Sequence, residues 1–349
     1  MFCQLENILS TPDYKLSSIE ALFGRNRDGH RTRHIFHLRR HHHAQHEHKE
    51  EQDHLAKFFL TKPKLEKTIL RGPIFAFTSM QGWRSTMEDC HKHLIPLDNH
   101  SWKLWSYFAI FDGHNGIDAA KNASEQLGIH LINALNHMLE KQHDDTVYPD
   151  IPIHSYELDL EQLHAAIKKT YYDLDQDLRK VVKDESGCVC ITCLIGPEKI
   201  YLINIGDSRA IIISNDGLVL AHTEDHKPDD PAERERIHEA GGKISKSTTG
   251  DVLRVENQLA MTRVLGDFAI DKHIVPPMAD IVEYPRNLLA SFIILACDGI
   301  WDVMTNEEVA QFVIHRASTN KLEEITSQLL DECIRRRGTD NMSVYIVKL

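Results

Sequence analysis

The sequence predicts an α+β fold in which antiparallel sheets are covered by pairs of helices. Two observations carry this prediction. Short runs rich in β-branched and aromatic residues follow one another closely, as strands joined by hairpins do. Longer stretches with apolar residues at helical spacing come in consecutive pairs rather than alternating with single strands. The length of 349 residues suits one large domain or two, and an apolar content of 42% allows a sizeable core.

Seven apolar runs are predicted to be strands, most of them covered on both faces because their apolar character is continuous. They are Ile74–Thr78, Trp105–Phe111, Val189–Ile195, Ile200–Ile205, Ala210–Ser214, Phe292–Ala296 and Val344–Val347.

Four longer stretches are predicted to be helices: residues 118–140, residues 160–178 and two segments after Asn306. A shorter helix has clear end signals, since Asp230 can cap it and Pro231 suits its first position. The polar stretch after that helix predicts an exposed hairpin or flap.

The charge pattern excludes some classes of function. Forty Lys and Arg stand against 52 Asp and Glu, a formal charge of −12, so we expect no nucleic-acid ligand. No run of about 18 apolar residues occurs, so we expect no membrane span. Glu6 stands where a secretory signal needs positive charge, and the seven cysteines are odd in number. We therefore predict a cytoplasmic or nuclear protein with reduced thiols.

The chain is predicted to divide into a leader, residues 1–70, and a folded domain, residues 71–349. The leader carries a charge of +3 and the remainder −15, and residues 25–54 hold nine of the 23 histidines. Such a segment buries too little apolar surface to offset its ordering entropy, so we predict disorder. Capture of a transition metal, contact with an acidic partner and a nuclear address are the alternatives.

Four aspartates lie at the ends of strand-like runs, beside Gly, Ser or Asn: Asp112, Asp207, Asp298 (with Asp302 nearby) and Asp340. A single Asp-Gly after a strand is usually a turn. Four of them against buried strands favour a shell of oxygen ligands for a hard cation such as Mg²⁺ or Mn²⁺. Two such ions would match in-line phosphoryl hydrolysis, by a phosphatase or by a nuclease.

Three further features could complete such a site. Arg84 could grip a phosphate with two nitrogen atoms, and Glu88 and Asp89 could serve metal-bound waters. An Arg and a Glu at this spacing more often form a surface ion pair. His114 is a candidate general acid, although most of the 23 histidines can have no catalytic task.

From about Ile74 to Leu349 the sequence resembles the metal-dependent protein serine/threonine phosphatases of the PPM family, the protein phosphatase 2C type. The resemblance rests on seven ordered motifs: GWRSTMED, FAIFDGHNG, INIGDSRA, EDHKPDDPAERERIHEAGG, LAMTRVLGDF, ILACDGIWDVM and GTDNMSVYIV. It implies a four-layer α-β-β-α sandwich, two antiparallel sheets flanked by helix pairs, with at least two ions, Mg²⁺ or Mn²⁺, at one end.

The resemblance also implies the ligands. Asp112 would bridge both metals, the Gly113 carbonyl would bind one, and the other direct ligands would be Asp298 and Asp340. Glu88 and Asp89 would hold metal-bound waters.

By the same resemblance, Arg84 would bind the substrate phosphate and His114 would protonate the leaving oxygen. Asp207 and Asp302 match a third, weaker metal site. Residues 226–263 would form the flap.

The resemblance implies an enzyme that acts on phosphoproteins, in which a two-metal-activated water hydrolyses phosphoserine and phosphothreonine. The alternative is a pseudophosphatase scaffold that binds and regulates a partner, although every expected metal and phosphate position is filled. A third possibility is that the chief function lies in the leader, which would bind a metal ion or an acidic partner. The sequence has no obvious interaction helix that would argue against a monomer, so we expect the protein to be monomeric.

Overall fold

The computed structural model describes residues 58–142, 152–154, 158–247 and 252–349. Two large sheets, antiparallel throughout, form its centre. In sheet order, the first consists of β1 (Phe59–Arg71), β2 (Phe75–Arg84), β14 (Met342–Lys348), β13 (Ala290–Ala296), β7 (Arg209–Ser214) and β8 (Val219–His222). The second consists of β12 (Asp280–Pro285), β6 (Lys199–Ile205), β5 (Gly187–Ile195), β4 (Ser106–His114) and β3 (Cys90–Leu94), and the short β11 (Leu265–Gly266) pairs with β5.

Within the described ranges, the helices form two pairs and two short single helices. The first pair is α1 (Asp118–Gln142) and α2 (Leu160–Val181), and the second is α5 (Asn306–Ala317) and α6 (Leu322–Arg335). The short pieces are α3 (Pro231–Glu239) and α4 (Asp298–Trp301). All four predicted long helices and the short capped one are present.

The two sheets face each other across an apolar interior. The ring of Phe108 on β4 lies edge-on to that of Tyr345 on β14, with centroids 5.4 Å apart. Leu295 is the register partner of Tyr345, so it lies on the same face, and Ile293 lies two residues along that face. All four side chains are fully buried.

The outer faces of the sheets are covered by the helix pairs. Leu131 and Leu174 of the first pair join Tyr201 of β6 in one buried cluster on the second sheet. On the first sheet, Thr78 of β2 hydrogen-bonds Thr326 of α6 across 2.7 Å. The predicted four-layer α-β-β-α sandwich is therefore confirmed.

The folded part begins earlier than residue 71. Strand β1 pairs with β2 from Phe59 onward, so the sheet takes in residues assigned to the leader by sequence. Its mixed polar pattern gives no apolar run, as is usual for an edge strand that keeps one face in water. Residues 1–57, with the His-rich segment, lie outside the described residues. None of the described helices is long and apolar enough to cross a bilayer.

The region predicted as a flap contains α3 and a two-stranded hairpin, β9 (Ile244–Lys246) and β10 (Leu253–Val255). The Asp230 carboxylate accepts hydrogen bonds from the amides of Ala232 and Glu233, as the sequence predicts for its N-cap. Residues 248–251, between the two strands in sequence, lie outside the described residues.

Candidate active site

Aspartates from separate strand ends converge at one end of the sandwich. Asp112 is near the end of β4, Asp298 comes two residues after the end of β13, and Asp340 stands two residues before β14. Because β13 and β14 are neighbours in one sheet and β4 belongs to the other, the three carboxylates meet across the two sheets. Six aspartates are close enough to interact electrostatically: Asp89, Asp112, Asp207, Asp298, Asp302 and Asp340.

This crowding changes the protonation of the cluster. Burial raises the pKa of Asp89 to about 7, and the charge of Asp340 adds to the effect. Burial, followed by the charges of neighbouring aspartates, raises the pKa values of Asp112 and Asp298 well above their ordinary range. Desolvation by its neighbours also raises the pKa of Asp302 to about 6, although this side chain is partly open to solvent and Lys227 opposes the shift. The ionised cluster therefore lacks enough positive charge from the protein itself.

The tightest part of the cluster joins Asp89, Asp112 and Cys297, whose ligand atoms lie within 4.8 Å of one another. Asp89 accepts a 2.7 Å hydrogen bond from the Ser343 hydroxyl through Oδ2. Its Oδ1 is buried with no hydrogen-bond partner in the part of the chain that the structure describes. Burial raises the pKa of the Cys297 thiol well above its usual value, so this sulfur is protonated. The set that remains consists of carboxylate oxygens, and it fits a hard divalent cation.

Gly113 allows β4 to approach the loop that carries Glu88 and Asp89. A Cβ on Gly113 would lie 2.5 Å from the main-chain oxygen of Glu88 and 3.1 Å from the Cβ of Ala120. Backbone cannot yield easily at such a distance, so any larger residue would displace the loop. Glycine is thus required here by packing, whether or not its carbonyl binds a metal.

Arg84 ends β2 and contacts Asp340 through Nη2. Burial alone would lower the pKa of Arg84, but Asp340, Asp298 and Asp112 raise it above its ordinary value, so the guanidinium is cationic. Its Nε is buried and makes no hydrogen bond within the described ranges. The guanidinium therefore retains donors for an anion beside the carboxylate cluster.

Asn341 was not predicted, yet it fixes the loop that carries Glu88. Its Oδ1 accepts a 2.9 Å hydrogen bond from the Glu88 amide, and its Nδ2 donates to the carbonyls of Gln81 and Thr86, both at 2.9 Å. The Glu88 carboxylate itself accepts a 2.9 Å hydrogen bond from the Thr86 hydroxyl. The sequence offered one clue to this role: an Asn directly follows the predicted ligand Asp340, just before a predicted strand.

His114 is the last residue of β4 and lies near the cluster, where its charge acts on Asp207. Its Nε2 is 2.6 Å from Oδ2 of Asp267, a residue that the sequence did not single out. The contact joins positions 153 residues apart, so no local pattern could have indicated it.

The comparisons with known proteins agree with this geometry. A family model described as "Protein phosphatase 2C" matches residues 74–342, well over half of the chain. The chain belongs to the protein phosphatase 2C family. This membership confirms the predicted family and the predicted enzyme class, a protein-serine/threonine phosphatase.

Named relatives in the protein phosphatase 2C group include bovine "Protein phosphatase 1B", 35% identical over 308 residues. That match covers 83% of this chain but only 60% of the bovine protein. Human "Protein phosphatase 1A" is also 35% identical, with 83% of this chain and 75% of that protein covered. A crystal structure of "serine-threonine phosphatase 2C" from Toxoplasma gondii superposes with a TM-score of 0.67 at 21% identity, covering 81% of this chain and 99% of that one. The last likeness shows the shared fold.

Asp207 and Asp302, the residues matched to a third metal site, have a cation of the protein beside them. Lys227 lies 3.2 Å from Asp225, and its charge acts on both aspartates. Burial alone would lower the pKa of Lys227, but Asp207 and Asp225 raise it. Oδ1 of Asp207 is buried with no hydrogen-bond partner among the residues described. The third site thus stays a prediction in which Lys227 would compete with a metal ion.

Proposed function

We propose that this chain hydrolyses phosphoserine and phosphothreonine in proteins, with Mg²⁺ or Mn²⁺ as its cofactor. The observation that carries the proposal is the cluster of six aspartates, whose raised pKa values reflect a shortage of positive charge. Family membership supports the same activity.

The proposed cation ligands are Asp112, Asp298 and Asp340, together with the main-chain oxygen of Gly113. Glu88 and Asp89 complete the outer part of the shell, held by Asn341 and Ser343. When bound, two such cations lower the pKa of a coordinated water and offset the charge of the phosphoryl oxygens.

The roles of Arg84 and His114 follow from their positions. Arg84 would bind the substrate phosphate through the donors that Asp340 does not use, and so orient the phosphorus atom beside the cluster. His114, at the edge of the cluster, would protonate the oxygen of the departing serine or threonine. The protein thus supplies the anion grip and the acid.

The test is phosphate release from a phosphothreonine peptide by purified protein in Mn²⁺, in Mg²⁺ and in EDTA. We expect release in at least one metal and none in EDTA. An Arg84→Ala variant should raise the KM for the peptide more than it changes the metal concentration needed for half-maximal rate. A folded sample that releases no phosphate under any condition would contradict the proposal and favour the scaffold that only binds a partner.

A further inference from the structure

Asp267 forms a buried contact with the predicted general acid. Its carboxylate Oδ2 lies 2.6 Å from Nε2 of His114, and its side chain is only 6% exposed. The other ring nitrogen of His114, Nδ1, makes no hydrogen bond to any residue in the described ranges. Since a carboxylate accepts, the Asp267 contact places a proton on Nε2 and leaves Nδ1 as the nitrogen available to a substrate.

The backbone at Asp267 is unusual. Its φ is +48°, in the left-handed region that residues other than glycine seldom adopt, and it follows Gly266 at φ +80°. Such a conformation persists when the surrounding structure enforces it. Here the Asp267 amide donates a 3.1 Å hydrogen bond to the Ser186 carbonyl.

The facing strand leaves space for this carboxylate. A Cβ on Gly187, the first residue of β5, would lie 1.9 Å from Oδ2 of Asp267 and 2.7 Å from Nε2 of His114. No side chain could occupy that position without breaking the contact. Glycine at the start of β5 is therefore a condition of the Asp267–His114 pair.

A buried ion pair holds the residue next to Asp267. Asp175 of α2 accepts a 2.9 Å hydrogen bond from the Gly266 amide, and Lys272 donates to the Gly266 carbonyl at 2.7 Å. Asp175 and Lys272 are 3.1 Å apart, with side chains 8% and 16% exposed. Burial of an ion pair is costly and adds little net stability, so a role in fixing one geometry explains it better.

We infer that Asp267 is a positioning residue that orients the His114 ring and fixes its protonated Nε2, so that Nδ1 serves the leaving oxygen; this inference rests on the proposed function. In the reaction, a water oxygen bonds to phosphorus while the bond from phosphorus to the serine or threonine oxygen breaks. His114 gives that oxygen a proton, the attacking water releases one to solvent, and the ring regains one from solvent. A carboxylate behind a catalytic histidine acts in this way.

The test compares two substrates that differ in their need for an acid. A serine or threonine oxygen must be protonated as it leaves, whereas p-nitrophenolate is stable without a proton. Asp267→Asn suits the test because Asn tolerates the left-handed conformation. We expect kcat on a phosphothreonine peptide to fall by about 10–100-fold with KM nearly unchanged, and kcat on p-nitrophenyl phosphate to fall by less than about 3-fold.

Two further variants test the same role of Asp267 without changing Asp267 itself. Asp175→Asn loosens the support of Gly266 and should move the ratio of the two rates in the same direction, by a smaller factor, even if Asp267→Asn does not fold. Asp271→Asn is the matched control. The side chain of this exposed aspartate accepts a 2.8 Å hydrogen bond from the His273 amide and no other within the described residues, so the ratio should stay at the wild-type value.

Failure of the Asp267 role and failure of the proposed function would give different results. Equal losses on both substrates, or no loss on either, would overturn the role of Asp267. In a His114→Gln background, Asp267→Asn should change the peptide rate by less than about 3-fold, because the two residues act as one unit. A wild-type protein that hydrolyses neither substrate would instead contradict the proposed function.

Discussion

The interior between the two sheets and the carboxylate cluster at its end are built from the same strands, but the first buries apolar side chains and the second buries charged ones. In the interior, side chains such as Ile293 and Phe108 are fully buried and apolar. At the cluster, β4 and the segment after β13 place Asp112 and Asp298 in surroundings where burial disfavours their charge. The interior therefore stabilises the fold, and the cluster opposes it unless cations are present.

This contrast explains how the fold holds a site made of like charges. A rigid apolar sandwich fixes where each strand ends, so charged groups at those ends are held close together despite their repulsion. Substitutions in the two regions should thus separate stability from activity, because proteins commonly trade one against the other at such sites.

Asp298→Asn should give the largest effect. An amide removes charge where the cations need it, so we expect turnover of a phosphothreonine peptide to fall about 100–1,000-fold. The same change removes a disfavoured buried charge, so the metal-free protein should unfold at the same temperature or a higher one. Asp229→Asn, at an exposed position, is the control and should change neither quantity. Wild-type turnover and metal dependence in Asp298→Asn would remove this residue from the site.

Ile293→Ala should show the reverse pattern. Loss of a fully buried side chain between the sheets should lower the free energy of unfolding by about 2–5 kcal/mol, measured by urea denaturation. Turnover per folded molecule should remain within about 2-fold of wild type, since Ile293 is paired with Val347, at the end of β14 away from Asp340. A steep loss of turnover in folded Ile293→Ala protein would show that the two regions are not separable.

The stability of the metal-free protein should fall as pH rises from about 4 to about 7. The pKa of Asp89 is raised to about 7 in the folded state, so the folded state binds more protons than the unfolded state across this window. The loss should amount to about 4 kcal/mol once the pH exceeds the raised pKa, and Mn²⁺ should offset it at neutral pH. Thermal melts in EDTA that are flat over this range would argue against a charge-crowded cluster.

Asn341→Ala should give the smallest effect, confined to the edge of the cluster. It removes one acceptor and two donors from the Glu88 loop, at a cost of about 1–2 kcal/mol in the free energy of unfolding. The Mn²⁺ concentration for half-maximal rate should rise about tenfold, as for other residues that hold a metal ligand in place. An unchanged Mn²⁺ requirement would mean that the loop keeps its position without Asn341.

The sequence could predict the features that depend on local pattern. Buried strands appear as apolar runs, and an aspartate at the end of such a run is visible without knowledge of the fold. Edge strands such as β1 and β12 have no such run, because one face meets solvent. Asp267 was missed for a different reason: its role depends on a contact with His114 and on the absence of a side chain at Gly187, and both are created by folding.

The central claim is that the carboxylate cluster binds divalent cations, and the most direct test counts them. Equilibrium dialysis of the purified chain against Mn²⁺ at pH 7.5, with electron paramagnetic resonance to measure free Mn²⁺, gives the number bound per chain. We expect at least two ions in the wild type and fewer in Asp298→Asn. Fewer than one ion bound by folded wild-type protein, or the same number in both, would contradict the claim.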